Sequence, residues 1–289
     1  MDFSFIQAFD VSILNFFQTI QQPILTYIFQ ALSLLGNPIF WIMVSAFLYW
    51  NGKETQAVLT MNLVVFSALV SNGLKEFFQR PRPDSNQFTV TQEALQELFE
   101  KASSYGYSFP SGHATLIAGI AGYWFLKVKK HFKILLVLAV LIVSLARMYL
   151  GWHYFSDIVL GLLLGLGIAQ FNTWLVFEIK EKQIHFNSWK TQTVLAVVFV
   201  CLLFLYYLGI NKLTFAIFGF YTGFFLFYKF KLEHRTSKLK QITGFIGFGF
   251  LGLCYLLINS LSLLWLFLLG FWITFGNAVL YQKWKNKNN

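Results

Sequence analysis

The sequence is poor in charge and in cysteine. Asp, Glu, Lys and Arg together make up 12% of its 289 residues, against about 25% in an average soluble chain. The two cysteines, Cys201 and Cys254, both lie in apolar runs, which favours buried free thiols over a disulfide bridge or a metal site. These shortages exclude an ordinary soluble domain, a disordered chain, a secreted disulfide scaffold and a coiled coil.

The chain is rich in apolar and aromatic residues. Hydrophobic residues form 57% of the chain, with 35 Phe and 9 Trp, and the mean hydropathy is +0.59. This composition suits contact with lipid and with membrane interfaces. The net charge of +10 could suggest nucleic acid, but the basic residues lie between apolar runs rather than on one continuous surface. We therefore expect the lipid bilayer, and no nucleic acid, as a partner.

Apolar runs of membrane-spanning length recur along the chain. A bilayer span needs about 20 residues at a rise of about 1.5 Å each. The sequence predicts an all-α integral membrane protein with about nine transmembrane helices. The predicted spans are 32–50, 55–78, 111–127, 134–150, 154–177, 190–209, 213–228, 241–258 and 261–281. Gly36, Asn37 and Pro38 interrupt the first of them.

The N-terminal segment 1–22 has a different pattern. It lacks the basic region and the cleavage site of a signal peptide. Apolar residues recur in it at helical spacing, which predicts an amphipathic helix lying on the membrane surface. The residues of this apolar face are Phe3, Ile6, Phe9, Ile13, Phe16, Phe17 and Ile20. The alternative is the first half of a bent transmembrane helix.

The basic residues are distributed unequally between the two sets of loops. With nine spans, sixteen of the 22 Lys and Arg fall on one side, and none of the 22 occurs in the first 52 residues. Cytoplasmic loops are rich in Lys and Arg, so the sequence predicts an outside N-terminus and a cytoplasmic C-terminus. The six cations predicted to lie outside are Lys75, Arg80, Arg82, Lys101, Arg147 and Lys212.

Three outer segments carry residues that suit phosphate chemistry. Cations at membrane depth are costly and tend to mark function, and Arg and Lys bind phosphate well. Ser111, Gly112 and His113 open a helix, whose N-terminal N–H groups favour an anion. His153 and Asp157 are four residues apart, so the carboxylate can orient the imidazole. No acidic cluster suits a metal ion, and we expect neither metal nor cofactor.

These segments resemble the type 2 phosphatidic acid phosphatase (PAP2) superfamily. The family pattern is Lys-x6-Arg-Pro, then Pro-Ser-Gly-His, then Ser-Arg-x5-His-x3-Asp, and the resemblance covers about residues 30–178. The matching residues are Lys75, Arg82, Pro83, Pro110, Ser111, Gly112, His113, Arg147, His153 and Asp157. Ala146 stands where the pattern has Ser, which removes one hydrogen bond but no charge.

The resemblance implies a PAP2-type helical core and assigns a role to each motif residue. It implies that His153 attacks phosphorus to form a phosphohistidine, that Asp157 holds the ring and that His113 protonates the leaving oxygen. The phosphate-binding residues that it implies are Lys75, Arg82, Ser111, Gly112 and Arg147. Arg80 lies off the pattern, and it is interpreted either as a contact to a phosphate or membrane surface or as an interfacial anchor.

The motifs and the predicted spans lead to expectations about the function and the domain organisation of the chain. We expect a multi-pass membrane phosphatase acting on a lipid phosphate or diphosphate at the outer face of a bacterial inner membrane. A phosphotransferase to an acceptor lipid, a sugar-phosphate phosphatase and a transporter are the alternatives. The predicted domains are an interfacial helix (1–22), a catalytic core (23–180) and a four-span region (181–289), in a layout that resembles the glucose-6-phosphatase branch.

Two regions have open roles in these expectations. The four-span region is interpreted as a scaffold or a homo-oligomer surface, or alternatively as a wall of the acyl-chain entrance. The outer loop 84–109 holds a predicted short amphipathic helix from Thr91 to Ser103, which is either a lid over the site or a surface helix.

Overall fold

Helices form every regular element in the part of the chain that the structure describes. A computed structural model describes residues 3–84, 106–181, 214–230, 232, 238–257 and 262–288. The helices are α1 Ser4–Thr19, α2 Pro23–Ser33, α3 Pro38–Trp50, α4 Glu54–Phe78, α5 Gly112–Phe125, α6 Lys130–Tyr149, α7 Phe155–Glu181, α8 Thr214–Lys229, α9 Lys238–Leu257, α10 Ser262–Phe271 and α11 Asn277–Asn288. The all-α class predicted from the sequence is confirmed.

Five of the described helices are long and apolar enough to cross a membrane. They are Glu54–Phe78, Lys130–Tyr149, Phe155–Leu175, Lys238–Leu257 and Leu263–Lys287. A bent pair, Pro23–Gly36 with Pro38–Trp50, makes up to six. The predicted span 190–209 and the predicted helix from Thr91 to Ser103 lie outside the described residues, and the total of nine stays a prediction.

The bend divides the first predicted span, 32–50, into two helices. Its two parts meet at 51°. Pro38 has no backbone N–H to donate, and the Asn37 side chain accepts a hydrogen bond from the Ile39 N–H at 2.8 Å, so a new helix starts here. The interruption expected at Gly36, Asn37 and Pro38 is therefore the bend between the two helices, and the apolar segment begins at Pro23, earlier than the predicted residue 32.

Helix α5 is short. Its 14 residues extend about 21 Å at 1.5 Å per residue, less than the roughly 30 Å of a bilayer core. The helical part of the third predicted span, 111–127, is therefore shorter than the core of a bilayer.

A close helix contact organises the first of two compact units, which comprises Met1–Ile42 and Asn62–Val176. Gly161 of α7 lies against the start of α5, where an added Cβ would be 2.7 Å from the Ser111 carbonyl oxygen and 3.0 Å from Ala114 Cβ. Glycine allows this approach because it has no side chain. The core cluster of the unit is Leu14, Ala114, Met148, Tyr154 and Ile158.

Four helix ends meet in this unit. Helices α4 and α6 end where α5 and α7 begin, and the Ser111 N–H donates to the Asp157 carbonyl oxygen at 3.0 Å. Lys75 and Arg147 occupy the last turns of α4 and α6, whereas Asp157 lies in the first turn of α7. Each charge is thus at the helix end whose dipole stabilises it.

The second unit comprises Met43–Met61 and Phe177–Asn289. The predicted division at residue 180 differs from this grouping, since Met43–Met61 joins the C-terminal helices. Ala216, Leu266 and Leu269 form a core cluster. The Trp50 indole N–H donates to the Ile273 carbonyl at 2.9 Å, within the π-helical turn Trp272–Gly276 that joins α10 to α11.

Candidate active site

His153 and Asp157 form a buried pair at the start of α7. The exposed fraction is 1% for His153 and 0% for Asp157. Asp157 Oδ2 accepts the Tyr154 N–H at 2.9 Å, which satisfies a donor at the helix start. The same oxygen lies 3.3 Å from His153 Nδ1. The local fold of the α7 N-terminus therefore places the carboxylate beside the imidazole.

The surroundings of His153 favour its neutral form. Burial, followed by the positive charges of Arg82, Arg147 and Lys75, lowers the pKa of His153 well below its usual value near 6.5. A carboxylate at Nδ1 favours the tautomer that carries its proton there. Nε2 is then the ring nitrogen with a free lone pair, as a nucleophile requires.

Arg82 connects the first motif to the third. Its Nε donates to the Gly106 carbonyl and its Nη1 to the Trp152 carbonyl, each at 2.9 Å. Nη1 also lies 3.4 Å from His153 Nε2. A guanidinium fixed by two backbone carbonyls thus lies beside the ring nitrogen that faces away from Asp157.

Arg147 reaches the site from the last turn of α6. Its guanidinium lies 4.3 Å from the Trp152 ring centroid, and Nη1 donates to the Ser33 hydroxyl at 3.1 Å. Its buried Nε has no hydrogen-bond partner among the described residues. Ser33 was missed by the sequence analysis: the hydroxyl on Arg147 comes from α2, while Ala146, at the motif position of Ser, is fully buried.

The second motif lies at the N-terminus of α5. Ser111 caps the helix, its hydroxyl accepting the Ala114 N–H at 3.5 Å. Gly112 is the first residue of the helix. His113 packs against Gly36, where an added Cβ would come within 2.9 Å of His113 Cβ. A larger residue at position 36 would displace this imidazole.

The cations of the first and third motifs lie close enough to act electrostatically on the second motif. His113 interacts with Arg147, Lys75 and Arg82, and Lys75 interacts with Arg82, Arg147 and Asp157. All eight site residues predicted from the sequence therefore lie on the helix ends and loops that meet in this unit.

Arg80 is not where the sequence analysis expected it. It is 2% exposed, and its guanidinium forms ion pairs with Asp157 at 2.8 Å and with Asp10 of α1 at 2.7 Å. It is neither an interfacial anchor nor a cation free to bind phosphate, so both interpretations of Arg80 are wrong. Asp10 was missed, although an acidic residue within an apolar helix signals a buried cationic partner.

The arrangement suits anion chemistry. A neutral imidazole is oriented by a carboxylate, and three cations and a helix N-terminus lie around it. Among the residues that the structure describes, no group of three or more His, Cys, Asp or Glu could hold a metal ion. The positive charge that a phosphoryl group requires is available from the side chains themselves.

Comparison with known proteins finds one family model that matches the same segment. Residues 56–181 match the family model described as the PAP2 superfamily. A dihydrosphingosine 1-phosphate phosphatase of Schizosaccharomyces pombe is 25% identical over 202 residues, covering 65% of this chain and 46% of that protein. The chain thus spans about half the length of this yeast relative.

A relative and a solved structure from Bacillus subtilis are also similar. A phosphatidylglycerophosphatase B of Bacillus subtilis is 27% identical over 175 residues, covering 56% of this chain and 80% of that protein. A crystal structure of a transmembrane PAP2 type phosphatidylglycerolphosphate phosphatase from Bacillus subtilis has 22% identity and a TM-score of 0.48, covering 64% of this chain and 90% of that one.

Proposed function

This chain belongs to the PAP2 superfamily, and on that premise we propose that it is a metal-independent membrane phosphatase that hydrolyses a lipid phosphate or diphosphate at the outer leaflet. The observation that carries the proposal is the buried imidazole of His153, with Asp157 at Nδ1 and Arg82 near Nε2. This is the arrangement of an oriented nucleophile beside a phosphate-binding cation.

The reaction proceeds in two displacements. His153 Nε2 attacks phosphorus, a nitrogen–phosphorus bond forms, and the bond from phosphorus to the leaving oxygen breaks as His113 protonates that oxygen. Water then attacks the phosphohistidine and gives a proton to His113, the nitrogen–phosphorus bond breaks, and phosphate is released. Asp157 stabilises the positive charge that the ring of His153 carries in the intermediate.

The cations hold the oxygens of the transferring group. Lys75, Arg82 and Arg147 neutralise its charge, together with the Ser111 hydroxyl and the Gly112 N–H at the positive end of α5. The unpaired Nε of Arg147 is a donor that a phosphate oxygen satisfies. Positioning and charge stabilisation supply the catalysis, so no cofactor enters either step.

The lipid nature of the substrate follows from two observations. The relatives named above are phosphatases of dihydrosphingosine 1-phosphate and of phosphatidylglycerophosphate, two lipids that share a phosphate and differ elsewhere. The site also lies at helix ends of a protein with five to six described spans. A headgroup reaches such a site while its chains stay in lipid.

Sidedness and topology belong to the same proposal. The inequality of basic residues supports a site on the extracytoplasmic side of a bacterial inner membrane, with nine spans, an outside N-terminus and a cytoplasmic C-terminus. The exposed Phe5, Phe9 and Phe16 of α1 support an N-terminal helix that presents aromatic side chains to lipid.

Phosphate release by purified protein tests the proposal. A panel of a lipid monophosphate, a lipid diphosphate and a sugar phosphate is offered in excess chelator, with and without vanadate. We expect release from a lipid substrate, no effect of chelator and inhibition by vanadate, which mimics the transferring phosphoryl group. Activity that chelator abolishes and Mg²⁺ restores would contradict the mechanism.

The same panel separates the alternatives. A preference for the sugar phosphate would replace the lipid substrate, and transfer to an added lipid alcohol without phosphate release would indicate a phosphotransferase. No turnover of any substrate by inserted, monodisperse protein would favour a transporter.

A further inference from the structure

Arg80 joins the N-terminal helix to the carboxylate beside His153. Nη1 donates to Asp157 Oδ1 at 2.8 Å, and Nη2 donates to Asp10 Oδ2 at 2.7 Å. The guanidinium carbon lies 4.0 Å from the Tyr154 ring centroid and 4.6 Å from that of Phe3. The side chains of both carboxylates are 0% exposed, so this ion triad is buried.

The two oxygens of Asp157 have separate partners. Arg80 binds Oδ1, whereas Oδ2 accepts the Tyr154 N–H and lies beside His153 Nδ1. Because Arg80 fixes one oxygen, the carboxylate cannot turn away from the imidazole. The orientation of His153 therefore depends on a residue that does not touch it.

Asp10 also accepts two hydrogen bonds from Ser156. Its Oδ1 accepts the Ser156 N–H at 3.0 Å, and its Oδ2 accepts the Ser156 hydroxyl at 2.5 Å. Ser156 is the neighbour of Asp157 and also receives a hydrogen bond from Arg80 Nη1 at 2.7 Å. Helix α1 is thereby attached to the first turn of α7 at the residue next to the proposed catalytic carboxylate.

The net charge of Asp10, Arg80 and Asp157 determines the electrostatic effect of the triad on His153. Arg80 with Asp157 alone would be a neutral pair, and Asp157 would then stabilise a positive imidazole poorly. Asp10 supplies the second negative charge, so the triad keeps a net charge of −1. The charges of Lys75, Arg82, Arg147 and His113 act on His153. The net negative charge of the triad has the opposite sign to theirs and lies in a buried, weakly screened site.

We propose that Asp10 and Arg80 are positioning residues for the reaction, through which α1 sets both the orientation of Asp157 and the negative charge felt by His153. This inference rests on the proposed role of His153 as nucleophile. It assigns a function to a helix that precedes the segment 56–181 matched by the family model.

Substitutions that change the charge in opposite directions at Asp10 and Arg80 test this inference. Asp10→Asn removes a negative charge, so the acid limb of kcat/KM should move to lower pH, by about one unit. Arg80→Gln removes a positive charge, so the same limb should move to higher pH by a similar amount. Each variant should lower kcat, by about 100-fold for Arg80→Gln, with KM little changed.

The double variant Asp10→Asn, Arg80→Gln restores the net charge and should return the limb close to its wild-type position. Leu14→Ala is the matched control, since Leu14 is a fully buried residue of the same helix α1. It weakens the packing of α1 and leaves the triad intact, so it should leave the limb in place. If Arg80→Gln does not fold, the comparison of Asp10→Asn with Leu14→Ala still tests the inference, since only Asp10→Asn should move the limb.

Histidine titration provides a readout that needs no substrate. NMR of the histidine side chains, with the His153 signal assigned from His153→Ala, should show the same opposite shifts in the two variants. Equal losses of kcat in Asp10→Asn and Leu14→Ala, with an unmoved His153 titration, would overturn the inference. Absence of turnover in the wild-type protein, with the shifts present, would instead count against the proposed function.

Discussion

At His153 the two ring nitrogens face different partners, and this difference determines the effect of each substitution nearby. Nδ1 faces Asp157 and Nε2 faces Arg82. Removing the ring, changing its partner and changing the pH therefore test three separate properties: the nucleophile, its tautomer and its protonation.

His153→Ala should abolish turnover, because the covalent step then has no nucleophile. Phosphate release by purified protein is the measurement, and unchanged elution from a size-exclusion column is the control for folding. Substantial residual turnover would contradict the phosphohistidine.

Asp157→Asn should lower kcat strongly, by up to about 10⁴-fold, because an amide can favour the wrong tautomer of its histidine. The KM should change less, since the proposed phosphate-binding residues Lys75, Arg82 and Arg147 are unchanged. A variant with wild-type kcat would show that the carboxylate does not orient His153.

The acid limb of kcat/KM should lie below about pH 6.5, the ordinary value for histidine. In the proposed mechanism the active form of His153 is neutral, and this form is lost when the pH falls through the pKa of the ring. Because burial and the nearby cations lower that pKa, activity should persist to lower pH than an exposed histidine would allow. A limb above 6.5 would contradict the electrostatics of the site.

At the scale of elements, the approach of α7 to α5 aligns the second motif with the third. Gly161→Ala should destabilise the protein, by about 1–3 kcal/mol, because its Cβ would overlap the Ser111 carbonyl. Gly167→Ala on the same helix is the matched control, since nothing lies within 4 Å of a Cβ there. Thermal unfolding in detergent compares them, and equal melting temperatures would contradict the packing.

The elements also show where reasoning from sequence stops. The interruption at Gly36-Asn37-Pro38 was recognisable because Pro and Asn have local conformational effects. The buried face of α1 was not recognisable in the same way. Seven apolar residues dominate the helical pattern of this segment, whereas the residues that the structure buries are Asp10 and Leu14. Asp10 finds its partner 70 residues along the chain, and no local pattern reveals such a distance.

At the scale of the whole molecule, the candidate site was located in the sequence from the cost of charge in a membrane. Lys75, Arg82 and Arg147 were selected because cations at span ends are few and expensive. Arg80 met the same criterion and was misread, since cost alone cannot separate a cation that binds substrate from one that binds a carboxylate. Ser33 lies 114 residues from Arg147 and has no charge to mark it.

Thiol labelling in intact cells tests the sidedness of the molecule. In a background with Cys201 and Cys254 replaced by Ser, Asp84→Cys should react with a membrane-impermeant reagent, and Lys129→Cys should not. Both side chains are exposed, and they lie near opposite ends of helices in the same unit. The reverse labelling would place the site on the cytoplasmic side.

The shortness of α5 has a kinetic consequence. The helix extends about 21 Å, and its predicted inner end is marked by Lys127, Lys129 and Lys130. With that predicted end at one edge of a hydrocarbon core about 30 Å thick, its N-terminus would lie about 9 Å beneath the other edge. A phosphate site at that depth meets its substrate by lateral diffusion within one leaflet. The rate should therefore follow the mole fraction of substrate among the surrounding lipids, and adding inert lipid at constant bulk substrate concentration should slow it.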